Sequence, residues 1–448
     1  VLEPVRRSLP DGVEILVPRE PPGLTSYVLL EQGDWFEADL AFVRRILQPG
    51  DTVVDVGACL GVYALSAAAR VGPGGRVLAI EPSPEAAELL RRSAARNGYA
   101  WLEVIEAAAG NAEGQVELRT DLALENRAVG PGAAGSLTAR VPQTTLDAAL
   151  ASWQRLDLLK VDAEGAEVAV LEGGSRAIAR WQPLLLCERR HGSRIDSAVP
   201  EQLRGLGATP YRLAPGLGLL VPATEALDDF QINLFGCPPT RASALERRQL
   251  LTRTIDPPPV PTDDRGWRAR QETLKYAKSL PALRSGGALD ADYDHALRHL
   301  AASRVATEPA DRAGHLLAAC DRLESLCATR PTVPRLHTLA RAAAAWGRRM
   351  VAVEALRLLG KAYDADPNPR LDEPLWVCWP RFDEVAPRGD LGRWGLAAAV
   401  EAFETLQHFS SYWTADGSRR RLALFARLGF PSEAMARRRE ALAARAVR

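Results

Sequence analysis

Histidine and methionine are scarce in this chain of 448 residues, numbering six and two. Few histidines leave little room for a histidine-built metal centre. The one pair at helical i, i+4 spacing, His295 and His299, has no carboxylate cluster beside it. The six cysteines (59, 187, 237, 320, 327 and 378) lie scattered without a CxxC, which excludes a zinc ribbon and offers no disulfide framework. With Cys59 and Cys187 in apolar segments, a reducing, cytoplasmic setting is expected. Net charge is also missing: Lys+Arg and Asp+Glu are both 56. That balance argues against nucleic acid or an anionic membrane as a partner of the whole chain. No uninterrupted apolar run approaches the length of a membrane span, so none is expected. The first residues carry no charged-then-apolar leader pattern; a start at Val1 rather than Met leaves a trimmed leader open.

What is present is ample apolar residue, 47%, in a chain long enough for two or three domains. The organising stretch runs from Thr52 to Leu65. A β-branched apolar run stops at the turn Asp55-Val56-Gly57-Ala58-Cys59-Leu60-Gly61 and restarts as a helix. A second apolar run, 77–80, ends in Glu81-Pro82. Strand, glycine turn, helix and a strand ending in an acid form the layout that holds an adenosine-bearing cofactor at the edge of a parallel sheet. Small residues at Gly57, Ala58 and Gly61 let backbone approach the ligand, and Glu81 is placed to accept hydrogen bonds from ribose hydroxyls. The alternative for these positions is an ordinary tight turn followed by an exposed strand-end acid.

Strands and helices alternate through the first half. Short strand-like pieces at 13–17 and 27–30 precede a helix over 37–47 and a strand over 53–56. A helix over 61–70, a strand over 76–80 and a helix over 84–97 follow, the last with Ser83 as N-cap before Pro84. Strands near 102–106 and 115–119, a loop containing Gly130, Gly132 and Gly135, and a strand over 156–161 come next. A helix over 166–179 and a strand over 184–188 complete the alternation. Alternation of this kind predicts a doubly wound, mostly parallel sheet. After a helix near 199–206 the pieces at 211–213, 219–221 and 232–235 read as an antiparallel, hairpin-like finish. Three domains are expected: an α/β domain over 1–240, a charged, proline-rich linker over 241–285, and an all-α region of helical hairpins over 286–448. In that last region Ala313, Leu316, Leu317, Cys320, Leu323 and Cys327 keep one apolar face, as do Ala352, Ala355, Leu356, Leu359 and Tyr363. Helix pairs broken at Asp366-Pro367 look tetratricopeptide-like, although no 34-residue repeat recurs cleanly.

A second chemical stretch runs from Leu158 to Gly174. Its strand ends in Asp162-Ala163-Glu164-Gly165, which brings carboxylates to the edge where ligands of doubly wound folds sit. Lys160 and Asp162 share a face. Glu167 reads as a first-turn acid favoured by the helix dipole. Candidate bases at this edge are Asp162, Glu164, Glu188 and His191, and Asp162 with Glu188 is the pair that would share a divalent cation if one is used, which is not expected. Trp35, Tyr27 and Tyr63 offer an acceptor wall or ordinary core.

Asp-Val-Gly-Ala-x-x-Gly at 55–61, Ile-Glu-Pro at 80–82 and Leu-Leu-Lys-Val-Asp-x-Glu-Gly-Ala-Glu from 158 together resemble the FkbM family of S-adenosylmethionine-dependent methyltransferases. Ala107-Ala108-Ala109-Gly110-Asn111 and Gly33-Asp34-Trp35-Phe36-Glu37 resemble further segments of it, and the likeness covers roughly half the chain. Where the family commonly has an acid, this chain has Asn111. The resemblance implies a class I methyltransferase fold with a seven-stranded sheet, S-adenosylmethionine as cofactor, and O-methyl transfer to a hydroxyl of a sugar, glycan or natural-product acceptor. It implies that Asp55, Gly57, Ala58, Gly61, Glu81, Ser83, Ala107, Ala108 and Asp162 surround the cofactor, with Asp162 near its methyl end. A protein partner or self-association through the helical region would fit the hairpins. Two alternatives stand beside this: a catalytically silent scaffold that recruits partners through the helices, and a NAD-dependent oxidoreductase.

Overall fold

A computed structural model describes residues 3–19, 23–119, 127–128, 138–191, 194–223, 227, 230–256, 258–262, 265–280 and 289–446. The loop with Gly130, Gly132 and Gly135 lies outside the described residues. The chain divides into two compact units, Val1–Leu213 with Pro222–Arg248, and Ala214–Val221 with Gln249–Arg448.

The main sheet has eight strands, one more than expected: β1 Thr52–Val56, β2 Arg76–Ile80, β3 Leu102–Ile105, β4 Leu158–Val161, β5 Leu184–Glu188, β6 Thr209–Ala214, β7 Asn233–Cys237 and, at the edge beyond β6, Leu219–Pro222. Strands β1 to β7 lie in the order 3-2-1-4-5-7-6. Strands β3, β2, β1, β4 and β5 are parallel, and β7 runs antiparallel to both β5 and β6. This is the class I methyltransferase sheet, with the expected antiparallel finish. Helices cover both faces, so the strands are near-continuous apolar runs, all but their first residue buried in β1 and β2. Asp55 in β1 and Lys160 in β4 put buried charges into these runs, and the two are register partners. A charge in such a strand survives burial only with an opposite charge beside it.

Several segments differ from the sequence reading. Residues 27–30 lie not in a strand but in the helix Leu24–Gln32, closed by Gly33 in the left-handed region; a short apolar run carries too little periodicity to separate the two. The helix expected over 166–179 is two helices, Glu167–Gly173 and Ser175–Trp181, broken at Gly174. There Gly173 passes the Gly110 carbonyl and Gly174 passes Leu146.

The second unit is helical: Arg265–Glu272, Ala291–Val305, Pro309–Thr329, Val333–Trp346, Arg349–Ala365, Leu391–Leu406, Ala415–Leu428 and Glu433–Ala446. The stretch 241–285, expected as a linker, contains built structure. The helix Pro239–Arg247 completes the first unit, while Trp267, Gln271, Tyr276 and Leu280 are buried in the second. Asp256 and Pro258 lie against Gly314, so the proline-rich run is packed rather than a free spacer. The apolar face Ala352, Ala355, Leu356, Leu359 and Tyr363 is buried as its spacing requires. The large aromatic side chains Trp346, Trp376, Trp394 and Phe382 are core, whereas Trp413 is exposed. Among the described residues no helix is long and apolar enough to cross a membrane.

Candidate active site

The two sequence motifs meet. At the C-terminal end of β1, Gly57 has φ 71° and its N–H donates to the Ile80 carbonyl at 2.9 Å. A Cβ on Gly57 would stand 1.7 Å from the Asp162 carbonyl oxygen, so the turn after β1 and the turn after β4 touch only because this residue is glycine. Gly61, at φ 89°, opens the helix Val62–Val71 and packs on Leu90. Between them Cys59 also has a left-handed backbone, φ 49°. Burial, then the charge of Glu81, pushes its thiol up to about 12, which removes it as a nucleophile.

Glu81 closes β2 and is buried. Its Oε2 accepts the Cys59 N–H at 2.7 Å and its Oε1 accepts the Ser83 N–H at 2.8 Å. Each carboxylate oxygen has a second acceptor direction left after these bonds. Burial raises this carboxyl to about 7 against the lowering effect of both N–H donors. Ser83 is engaged as N-cap, its Oγ accepting the Ala86 N–H at 3.3 Å. Ala107 is buried just past β3, and Ala108–Ala109 pairs with Gln143–Thr144. Asn111 donates to Glu172 at 3.0 Å on the surface.

Beneath the sheet edge lies a polar cluster. Lys160 Nζ stands 3.0 Å from Asp162 Oδ2, 3.4 Å from Asp55 Oδ1 and 4.9 Å from the centre of the Tyr63 ring. Burial alone would lower the lysine pKa, but Asp162, Asp55 and Glu37 outweigh it and hold the ammonium charged. The Tyr63 hydroxyl donates to Glu37 at 2.6 Å, and Asn233 Nδ2 donates to Glu37 and to Asp39, both at 3.1 Å. Burial raises Glu37 and Asp55, and burial followed by repulsion from Glu37 raises Asp39 to about 7. Asp162, with 34% of its side chain accessible, is far more open than Asp55 or Asp39. Sequence reasoning gave no site role to Glu37, Asp39 or Asn233. Acids opening an otherwise buried helix were the available signal for the first two. Asn233 carried none, because it reaches Glu37 across 196 residues of chain.

Register carries this face outward. Lys160 pairs with Asp55 and Leu186, and two residues on, Glu188 pairs with Asn233. Asp162 and Glu188 therefore end adjacent strands. Among the described residues no group of three or more His, Cys, Asp or Glu side chains is placed to hold a metal ion. Glu164 sits in the turn with φ 52°, followed by Gly165 at φ 103°. Glu167 does more than favour a helix dipole: buried, it accepts the N–H of Ala163 at 2.8 Å and of Gly165 at 3.2 Å, which fixes the turn that presents Asp162 and Glu164. The side chain of His191 lies outside the described residues; its backbone forms the short strand Arg190–His191.

The sequence of residues 55–207 matches the family described as the methyltransferase FkbM domain. Ribosomal protein L11 methyltransferase of Pelotomaculum thermopropionicum is 36% identical over 152 residues, which is 32% of this chain and 46% of that protein. Protein-L-isoaspartate O-methyltransferase of Aeropyrum pernix is 48% identical over 52 residues, 12% of this chain and 20% of that protein. The chain thus spans less than half the length of these curated relatives. Among solved structures, methyltransferase FkbM from Methylobacillus flagellatus aligns at 18% identity and a TM-score of 0.29, covering 44% of this chain and 50% of that one. The match to the FkbM methyltransferase domain thus spans residues 55–207 of a longer chain.

Proposed function

We propose that the first unit, with its FkbM methyltransferase domain, uses S-adenosylmethionine to methylate a hydroxyl oxygen on a sugar, glycan or natural-product acceptor. The observation that carries cofactor binding is Glu81: a buried carboxylate at the end of β2, oriented by two backbone N–H groups of the adjoining turns, with acceptor capacity left for a ribose diol. The Gly57 turn stands at the same sheet edge, where its lack of a side chain lets it touch the Asp162 turn. In this assignment Gly57, Ala58 and Gly61 flank the methionine and ribose portions, and Ala107 and Ala108 flank adenine. Ser83 contributes through its backbone.

S-adenosylmethionine supplies a methyl group already activated on a sulfonium sulfur. The protein must align the acceptor oxygen and remove its proton. Asp162 is our choice for proton acceptor, because it is an accessible carboxylate of the cluster and lies on the turn that touches Gly57. Lys160 orients it, and Glu37 with Tyr63 braces Lys160 from below. Glu164, Glu188 and His191 remain the neighbouring candidates. The acceptor class rests on the family resemblance, and the zero net charge favours a small molecule or glycan over nucleic acid. Six cysteines without a disulfide support a reducing, cytoplasmic setting.

Calorimetric titration with S-adenosylmethionine and with NAD tests the cofactor; binding of NAD alone would sink the reading. Glu81→Ala should weaken S-adenosylhomocysteine binding by roughly a hundredfold, the loss of a charge-assisted pair of hydrogen bonds. Asp162→Asn should keep binding and lower turnover on a panel of hydroxylated acceptors. Equal loss of binding in both variants would contradict the separate roles. Tight binding with no product from any acceptor would favour a silent scaffold.

A further inference from the structure

We propose that the helical unit binds a small phosphate-bearing molecule in a cavity between its helices Arg265–Glu272, Ala291–Val305 and Val333–Trp346. The cavity holds about 1080 Å³, and every residue lining it belongs to the second unit. Five arginines face it, Arg270, Arg298, Arg304, Arg312 and Arg341, while no Asp or Glu stands among the described lining residues. In a chain of zero net charge that separation of sign is a local property of the site.

Two of the five are neutralised from behind. Arg298 pairs with Asp294 at 2.7 Å, and Arg341 grips Asp383 through two bonds of 2.8 and 2.7 Å. Arg312 donates to the Leu217 carbonyl at 3.0 Å. Arg270 and Arg304 are solvent-accessible and make no ion pair among the described residues. The Arg304 guanidinium lies 4.7 Å from the centre of the buried Trp376 ring, which also carries Arg341 at 5.8 Å. The indole thus holds Arg304 in place without cancelling its charge. Packing around the guanidinium, then repulsion from Arg341, lowers Arg304 to about 10, so it stays charged at neutral pH.

Arginine cannot shed its proton in the working range, so clustered guanidiniums need a counter-ion from outside. The planar forks match phosphate oxygens in bidentate fashion. Apolar residues, among them Leu300, Leu316, Ala345 and the half-buried Trp379, make up most of the remaining wall, which suits a ring-bearing remainder. A single concavity of this volume takes a molecule of nucleotide size rather than an extended acidic segment.

Titrating the full chain by calorimetry with inorganic pyrophosphate and with uridine diphosphate tests this. Both should bind, the diphosphate nucleoside more tightly, and both should weaken with added salt. The double variant Arg270→Gln/Arg304→Gln should lose about tenfold or more in affinity, and Arg304→Lys, which keeps charge and loses the fork, should fall between. Affinity for S-adenosylhomocysteine should not change in either variant, which separates this site from the methyl-transfer reading. Failure of both probes to bind, or a double variant that binds them like wild type, overturns the proposal. Tighter binding of an oligoglutamate peptide than of either probe overturns it in favour of a protein partner.

Discussion

In the first unit, Asp55, Asp162 and Glu37 gather around the ammonium of Lys160, and Asp39 lies beyond Glu37 on the same Asn233 amide. In the second, five arginines line one cavity, and His299, His315 and His337 are buried uncharged with pKa values held down by desolvation, to about 4 for His299 and about 3 for His337. Burial raises Glu37, Asp39 and Asp55, so these acids can relieve crowding by taking up protons; the arginines cannot. One unit therefore carries its compensation inside the fold, and the other leaves part of it to be supplied from solution.

The largest test of that contrast is Lys160→Met. At pH 8 it should cost about 3–5 kcal/mol by chemical denaturation, the penalty for leaving buried carboxylates without their counter-charge. At pH 5 the cost should shrink, because burial raises Asp55 and Glu37 and makes them easier to protonate as the pH falls. Equal cost at both pH values would mean that Lys160 contributes packing rather than charge.

Next in size is an opposite pH dependence of the two units. Asp39 and Glu81 have folded pKa values of about 7, above the ordinary carboxylate range. The folded state holds protons that the unfolded chain releases, so their contribution is complete at acid pH and is lost as pH rises through 7. The buried histidines have lowered pKa values, so theirs is complete above about 6.5 and is lost on acidification. Hydrogen exchange, corrected for intrinsic rates, should show the first unit loosening from pH 5 to 7 by up to roughly 1 kcal/mol per pH unit for each acid and levelling off above, and the second loosening in the opposite direction. Asp39→Asn should flatten the first trend; an unchanged slope would remove Asp39 from it.

Smaller still, Ser83→Ala should cost about 1 kcal/mol as the loss of an N-cap. If Ser83 only caps, S-adenosylhomocysteine affinity should stay within twofold. A larger drop would put its hydroxyl on the cofactor. The smallest expected effect is Arg304→Gln, within about 0.5 kcal/mol of wild-type stability, since it breaks no ion pair among the described residues and relieves repulsion from Arg341. A large loss there would mean that Arg304 holds the fold rather than awaits a ligand.

Much of the first unit was readable because parallel strands and a glycine turn leave local traces. Asp55 stood out as the start of the glycine turn, Lys160 as sharing a face with Asp162, and Glu81 as an acid locked before a helix start. The break at Gly174 and the helix Leu24–Gln32 were harder, since short segments carry too little periodicity. Glu37, Asp39 and Asn233 were harder again, because their significance is a meeting of distant elements.

The sequence alone determined the alternation of strands and helices, the turn at Gly57, the acid at Glu81 and the apolar faces of the C-terminal helices. Each depends on neighbours within a few residues, where steric and periodic rules act directly. Only the tertiary structure decided that Gly57 lies under the Asp162 carbonyl, that Lys160 serves two carboxylates, and that Arg270 and Arg304 share a cavity wall. Those depend on long-range packing, which linear spacing does not encode residue by residue.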